Sequence, residues 1–463
     1  MSHRTGEGYA NANTHNAPVT APLQDVHILV AVQQEMHYLL TAGGVEVRCR
    51  QTARGSRGSR MLYLAYQLQS DVMVPIRTWA SMAVNAGGSP PLTDNPAVRN
   101  LSAVYELIAR AGLTHTRPAF GIGSVAVGNR EVEVREEATA STPFGTLLHF
   151  KKDIDASQPR VLMVAPLSGH FSTLLRATVR TMLPEHDVFI TDWHNARDVP
   201  LTAGRFGFED YIEHLIKFLE VIGPGAHLLA VCQPCVAALA AVAVMAQAGN
   251  KAQPRSMTLM AGPIDTRANP TRVNDLAKKN SIEWFERTLI ASVPMRYPGA
   301  FRRVYPGFVQ LAAFMSMNLD RHVKAHRELY ENLANGELEK AAITKAFYDE
   351  YFAVLDLTAE FYLETVRLIF QEHALPQGKL EFHGRPVDAS AIRRTMLLTV
   401  EGERDDICAV GQTVAAHDLC SKLRPYLKRH HMQAGVGHYG VFSGKRWENQ
   451  IYPILKNVIL SSD

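Results

Sequence analysis

Cys232 closes an apolar run, HLLAVC (227 to 232), and a small-residue pattern of helical character, QPCVAALAAVAVMA, begins at once. A cysteine on a sharp turn from a buried strand into a helix is exposed above the sheet, where the helix N-terminus favours its thiolate through partial positive charge and unpaired N–H groups. Such a thiolate can attack an ester carbonyl and carry the acyl group as a thioester, with the backbone N–H of the next residue, Gln233, donating to the oxyanion. The serine pentapeptide G-x-S-x-G is absent, since Ala230 stands two residues before Cys232 and Pro234 two residues after it. An ordinary serine hydrolase is therefore excluded. Two plainer readings compete: a lone strand-end cysteine is more often an inert core residue, and Cys232 with Cys235 forms the C-x-x-C of a redox pair. A redox pair predicts a compact thioredoxin-like domain, whereas this strand lies within a longer series that has a candidate acid and base downstream.

The acid is placed by TMLLTVEGERDDICAVGQT, which puts Asp405 and Asp406 just after an apolar strand; the base is placed by HMQAGVGHYGVFSGKRW, which puts His438 in a Gly-flanked loop before a final helical stretch. Nucleophile, acid, base is the chain order of α/β-hydrolases. Either signal alone is weak, because Asp pairs are common turn residues and the chain holds 19 histidines. Together, behind a strand-end cysteine, they describe a set in which Asp orients the imidazole and His takes the thiol proton and later returns it to the leaving hydroxyl. The second oxyanion donor is expected from the loop Pro166 to His170, with the backbone N–H of Leu167 or Ser168 as candidates. His170 reads equally well as a helix N-terminal residue without a catalytic part, and His430-His431 as strand-flanking surface. No histidine clusters with cysteine at zinc spacing, so no metal site is expected.

These residues need elements to hold them. RVLMVAP (160 to 166), DVFITD (187 to 192), HLLAVC, SMTLMAG (256 to 262) and TMLLTVEG (395 to 402) are short continuous apolar runs, mostly separated by helical patterns, as expected for parallel strands buried on both faces. Before them, SVAVGNREVEVREE alternates around a Gly-Asn turn and TLLHFKK follows, predicting antiparallel strands that open the sheet. The fold class is thus α/β, an α/β-hydrolase type of mostly parallel, doubly wound sheet. Five segments are predicted: a disordered leader over 1 to 60; a helical N-terminal arm over 61 to 121, carried by MLYLAYQLQSDVMVPIRTWASMAV and SAVYELIARA; a first part of the core over 122 to 262; a helical cap insertion over 263 to 390; and a second part of the core over 391 to 463. The cap is dense in aromatics, with a helix expected from Phe347 to Phe370, and most of those rings are expected to form its own core.

With 463 residues a substantial core can be buried, and 46% hydrophobic residues with a net charge of only +3 fit a globular chain without a nucleic-acid stripe. Five scattered cysteines, Cys49, Cys232, Cys235, Cys408 and Cys420, give no disulfide framework, which predicts a reducing cytoplasm. The first residues lack a signal peptide's basic and apolar regions, and no segment approaches the roughly 20 apolar residues of a transmembrane span.

APLSGH (165 to 170), TDW (191 to 193), VCQP (231 to 234), AGPID (261 to 265), YPGF (305 to 308), VEGERDDI (400 to 407), AAHDLC (415 to 420) and GHYGVFSG (437 to 444) occur in an order that resembles the intracellular poly(3-hydroxybutyrate) depolymerases, from about Met61 to the C-terminus. The resemblance implies an α/β-hydrolase fold, a cysteine in place of the lipase serine, and action on amorphous polymer in cytoplasmic granules. It carries the family's Cys, Asp and His onto Cys232, Asp405 and His438, with Asp405 preferred to Asp406 by analogy with related polymer synthases. It implies no resident cofactor, with CoA as an alternative acyl acceptor to water, the granule surface as partner and a homo-oligomer left open. Two departures stand out. Cys235 occupies a position that is not a thiol in the family, and the leader precedes the point where family-like sequence starts, so Met61 is expected to be the true start. A polyhydroxyalkanoate synthase-like acyltransferase and a non-catalytic granule-binding protein, adsorbing through the arm at 61 to 84 and the cap, are the alternatives.

Overall fold

The computed structural model of the chain describes residues 58–87, 95–154, 157–317 and 319–463. The expectations for a disordered leader and for Cys49 lie outside the described residues. Nine strands form one sheet: β1 (Ser124–Val127), β2 (Arg130–Ser141), β3 (Gly145–Lys152), β4 (Arg160–Val164), β5 (Asp187–Trp193), β6 (His227–Val231), β7 (Ser256–Met260), β8 (Met396–Gly402) and β9 (Lys428–Gln433). Their order across the sheet is β1-β2-β3-β5-β4-β6-β7-β8-β9. The first three strands pair antiparallel, and β3 pairs antiparallel with β5. All pairings from β5 through β4, β6, β7 and β8 to β9 are parallel. The five apolar runs of the sequence are thus the five central strands β4 to β8.

Their continuous apolarity follows from burial on both faces. Leu162, Val164, Leu228, Ala230, Met257, Leu259 and Leu397 point to one core cluster, while Val161, Met163, Leu229, Val231, Met260 and Leu398 point to the other. Alternate residues of a strand face opposite sides, so apolar side chains fill most positions, each contributing about 1.5–3 kcal/mol on full burial, with Thr258 and Thr399 among the buried exceptions. Helices Phe208–Ile222 and Cys235–Gln247 cover the first face. Arg176–Met182 and Tyr452–Ser462 cover the second. In Cys235–Gln247 every residue from Cys235 to Ala243 is buried; a run of alanines lets that helix sit close against the sheet.

Strand β9, KRHHMQ, departs from the expectation that His430-His431 only flank a strand. It is the edge strand of the sheet, paired in parallel with β8 from Leu397↔Lys428 to Gly402↔Gln433. An edge strand covered on one side carries no apolar run, so its polar residues hid it.

Between β7 and β8 lies the insertion, which is not purely helical. A small antiparallel sheet joins Ala291–Ser292, Arg303–Tyr305 and Leu357–Thr358, and a hairpin pairs Glu381–Phe382 with Arg385–Pro386. The helix expected from Phe347 to Phe370 is interrupted: Leu338–Tyr351 ends, Leu357–Thr358 pairs as a strand, and Ala359–Thr365 resumes before a π-helical turn at Val366–Gln371. The break belongs to Asp356, fully buried, whose carboxylate accepts from the Gly307 N–H at 2.9 Å and the Tyr63 hydroxyl at 2.7 Å. These tertiary bonds to two distant segments outweigh the local helical pattern.

Helices α1 (Gly58–Gly87) and α2 (Pro96–Arg110) form the N-terminal arm. Asn95 caps α2 by accepting from the Ala97 N–H at 2.9 Å, with Pro96 in the first turn. The arm is clipped to the insertion by Tyr63 on Asp356, by the Tyr66 ring stacked on Phe308 with centroids 4.0 Å apart, and by the Arg296–Asp71 ion pair at 2.8 Å.

Candidate active site

Cys232 stands where β6 turns into helix Cys235–Gln247, with φ at 67°. The left-handed region costs a residue with a Cβ about 1–2 kcal/mol, and such strain persists only where the surroundings enforce it. Here the Cys232 N–H donates to the Met260 carbonyl of β7 at 2.7 Å, and the Cys232 carbonyl accepts from the Cys235 N–H at 3.2 Å. Cys235, by contrast, is sealed. Its thiol faces the carbonyls of Ala230 and Met260 at 3.4 and 3.6 Å, and burial pushes its pKa well above the ordinary thiol range. Gly262 makes room for it, since a Cβ there would lie 2.2 Å from that of Cys235. A thiol packed this way is a core element, which removes the premise of a redox pair.

The Asp405 carboxylate is held by two backbone donors on one oxygen, Ile407 N–H at 2.9 Å and Cys408 N–H at 2.8 Å. Its other oxygen lies 2.7 Å from His438 Nδ1. A carboxylate only accepts, so Nδ1 carries the proton and Nε2 is the nitrogen left for the thiol. Asp406 is exposed and lies outside this pair. Burial works against the imidazolium of His438, but the nearby Cys232 sulfur, the Asp405 charge and hydrogen bonds to both outweigh it and hold the pKa well above the usual histidine value.

Two loops must meet for this. The β8 and β9 ends are zipped together by the Glu403 N–H on the Gln433 carbonyl at 3.0 Å and the Arg404 N–H on the Val436 carbonyl at 2.9 Å. The unrecognised strand β9 is therefore what delivers His438. Glu401, which the sequence reading also missed, is fully buried at the end of β8 and accepts from Gly411, Thr413 and Val414 N–H groups, the Thr413 bond being 2.7 Å. It fixes the return of the acid loop. A glutamate inside an otherwise apolar strand was the available signal.

The candidate oxyanion loop lies beside Cys232. The Leu167 N–H donates to Gln233 Oε1 at 3.3 Å, and the Ser168 carbonyl accepts from Gln310 Nε2. The Leu355 N–H donates to the Gly169 carbonyl at 2.9 Å and anchors the loop to the insertion. His170 is buried, its Nε2 3.2 Å from the Tyr351 carbonyl, and burial lowers its pKa to about 4, so it is a neutral packing residue away from the Asp405–His438 pair.

Cys232 and His438 open into a cavity of about 450 Å³, within the range of ligand pockets. Its other walls are largely apolar, and six of their aromatic rings come from the insertion: Phe285, Tyr305, Phe314, Phe361, Tyr362 and Phe370. The Tyr305 and Tyr362 rings are stacked at 3.8 Å. Most rings of the insertion do pack into its core, as expected, and six of them also line the cavity over the cysteine. Among the described residues no cluster of three His, Cys, Asp or Glu side chains could hold a metal ion, and no helix is long and apolar enough to cross a membrane.

Among solved structures the chain is similar to a carboxylesterase of Nitrososphaera gargenis (12% identity, 71% of this chain and 98% of that one, TM-score 0.38). It is also similar to a monoacylglycerol lipase of Paleococcus ferrophilus (12%, 66% and 97%, TM-score 0.37) and to a thermophilic esterase of Thermogutta terrifontis (13%, 73% and 97%, TM-score 0.35). Likeness at this level carries no inference about activity. No curated protein matches the chain in sequence. Residues 261–463, which include the insertion, Asp405 and His438, match the family described as PHB de-polymerase C-terminus. Residues 261–463 are thus similar to the C-terminal region of the PHB depolymerases, which supports a carboxylic ester hydrolase, and the mostly parallel nine-stranded sheet flanked by helices is that of an α/β-hydrolase fold.

Proposed function

We propose that the chain cleaves the ester bonds of poly(3-hydroxybutyrate) in cytoplasmic granules through an acyl-Cys232 intermediate. The observation that carries this reading is Cys232 itself, strained at φ 67° on a strand-to-helix turn beneath an apolar cavity that His438 also lines. His438 takes the thiol proton, the thiolate attacks the carbonyl carbon, and the resulting oxyanion is met by the N–H groups of Gln233 and Ser168, the Leu167 N–H being taken up by Gln233 Oε1. As the C–O bond breaks, His438 returns the proton to the departing hydroxyl and an acyl-thioester remains. A second acceptor, water or the thiol of CoA, gives its proton to His438 and attacks the thioester; the C–S bond breaks and Cys232 is re-protonated. Asp405 holds the imidazole and its charge throughout. No resident cofactor is needed.

The granule setting draws support from α1. Leu64, Leu68, Val72, Trp79 and Met82 are all exposed and recur along one face of that helix. Membrane-surface helices flank such a stripe with Lys and Arg, whereas the only charged side chains described on α1 are Asp71 and Arg77. An uncharged apolar face suits a neutral polyester surface better than an anionic lipid one. The deciding experiment is release of 3-hydroxybutyrate, or of its CoA ester when CoA is supplied, from native amorphous granules by the purified protein and by Cys232→Ala. Release by both, or by neither, overturns the proposal.

A further inference from the structure

The loop that would hold the oxyanion is gripped from outside the hydrolase core. Residues 168 to 170 are tied to the insertion three times: the Ser168 carbonyl accepts from Gln310 Nε2, the Gly169 carbonyl accepts from the Leu355 N–H at 2.9 Å, and His170 Nε2 lies 3.2 Å from the Tyr351 carbonyl. Of these ties only the first is made by a side chain of the insertion. The approach is close, because Gly169 sits at φ 96°, where a side chain is strained, and a Cβ there would lie 2.9 Å from Gln310 Cδ. Loop and amide meet as nearly as a bare backbone allows.

Ester cleavage asks for such a hold. Ser168 lines the cavity with Cys232 and His438, and its N–H has no hydrogen-bond partner among the described residues, whereas the Leu167 N–H is engaged by Gln233 Oε1. An oxyanion donor acts by being fixed before charge develops, since a donor that must first reorient loses much of what it supplies. The bonded Leu167 N–H and Ser168 carbonyl bracket the peptide unit that carries the Ser168 N–H, so two glutamine side chains fix that unit from either end. We propose that Gln310 is a positioning residue for ester cleavage: by holding the Ser168 carbonyl it fixes the Ser168 N–H as oxyanion donor, and the insertion thereby completes the catalytic site as well as roofing it. This rests on the ester-cleaving reading above and adds what holds its oxyanion donor.

The test compares the full chain with Gln310→Met, which keeps the length of the side chain and loses the donor. The substrates are 4-nitrophenyl butyrate and its thiono counterpart, in which sulfur replaces the carbonyl oxygen. Sulfur accepts hydrogen bonds weakly, so the thiono ester gains little from an oxyanion donor. In Gln310→Met, kcat/KM for the oxygen ester is expected to fall at least about tenfold, part of the roughly 10²- to 10³-fold that a whole donor supplies, while the thiono ester changes less than about threefold. The oxygen-to-sulfur preference therefore narrows. Both rates are taken on one preparation, so a folding defect cancels from their ratio. On granules the maximal rate should fall with the amount adsorbed unchanged. An unchanged oxygen-to-sulfur ratio, through equal loss or no loss, overturns the positioning role, as does a granule rate equal to that of the natural protein. Failure of the natural protein on granules and on both esters overturns instead the reading on which the proposal rests.

Discussion

His438 Nδ1 lies 2.7 Å from Asp405 Oδ2, while the neighbouring Asp406 side chain is turned to solvent. Adjacent carboxylates thus have unequal parts, and the difference is measurable. Asp405→Asn is expected to lower kcat by about 10³- to 10⁴-fold, because the amide favours the wrong imidazole tautomer, whereas Asp406→Asn should change it less than threefold, about 0.6 kcal/mol. The carboxylate raises the His438 pKa both by its charge and by its hydrogen bond. Residual activity of Asp405→Asn that depends on the imidazolium should therefore fall off at lower pH than in the natural enzyme. Parallel loss in the two variants would falsify the assignment.

Cys232→Ala should abolish turnover and leave the fold intact, and Cys232→Ser should keep a trace of activity because His438 can still serve a hydroxyl. The backbone adds a stability signature. At φ 67° glycine is free of the penalty that alanine bears, so Cys232→Gly is expected to be more stable than Cys232→Ala by about 1 kcal/mol in chemical denaturation. Cys235→Ala, by contrast, removes a packing thiol and should retain most activity. Equal stability of the glycine and alanine variants would count against strain at the turn.

The aromatics of the insertion separate into two groups. Between Trp284 and Phe314 only Phe301, 61% exposed, is on the surface, while Phe285, Tyr305 and Phe314 face the cavity. Polar substitution of Phe301, or of Leu68 and Trp79 on α1, should weaken adsorption to granules several-fold and spare hydrolysis of a short soluble ester. Phe285→Ala should impair both substrates, since it widens the pocket over Cys232. Co-sedimentation with granules measured beside soluble-ester kinetics distinguishes them, and a loss of soluble-ester turnover in the surface variants would end the adsorption argument.

Asp356 ties α1 to the insertion, and its environment makes stability depend on pH. Burial raises its pKa from 3.8 to about 6, against the opposing bonds from Gly307 and Tyr63. The folded state then binds this proton more tightly than the unfolded chain, so the Asp356 contribution favours folding at low pH and declines as pH rises from about 4 to about 6. The full swing is at most about 3 kcal/mol. Asp356→Asn cannot titrate and should remove that part of the decline, as seen in denaturation midpoints between pH 4 and pH 7; an unchanged pH profile in the variant would refute the account.

The sequence by itself determined the central sheet and the chemistry it presents. Strands β4 to β8 were legible because burial on both faces demands a largely apolar run; Cys232 and Asp405 stood out because each follows such a strand, and His438 because it lies after them, in a Gly-flanked loop, in hydrolase order. Strand β9 and the break at Asp356 were not. β9 is an edge strand with polar residues, recognisable only once β8 is beside it, and Asp356 is set by bonds to Tyr63 and Gly307, 293 and 49 residues away in the chain. The distinction of Asp405 from Asp406 by geometry, the orientation of Gln233 and Gln310, and the turning of Phe285 and Phe314 into the cavity were likewise tertiary decisions. They depend on which backbone groups distant segments bring within hydrogen-bond range, and local periodicity holds no record of that.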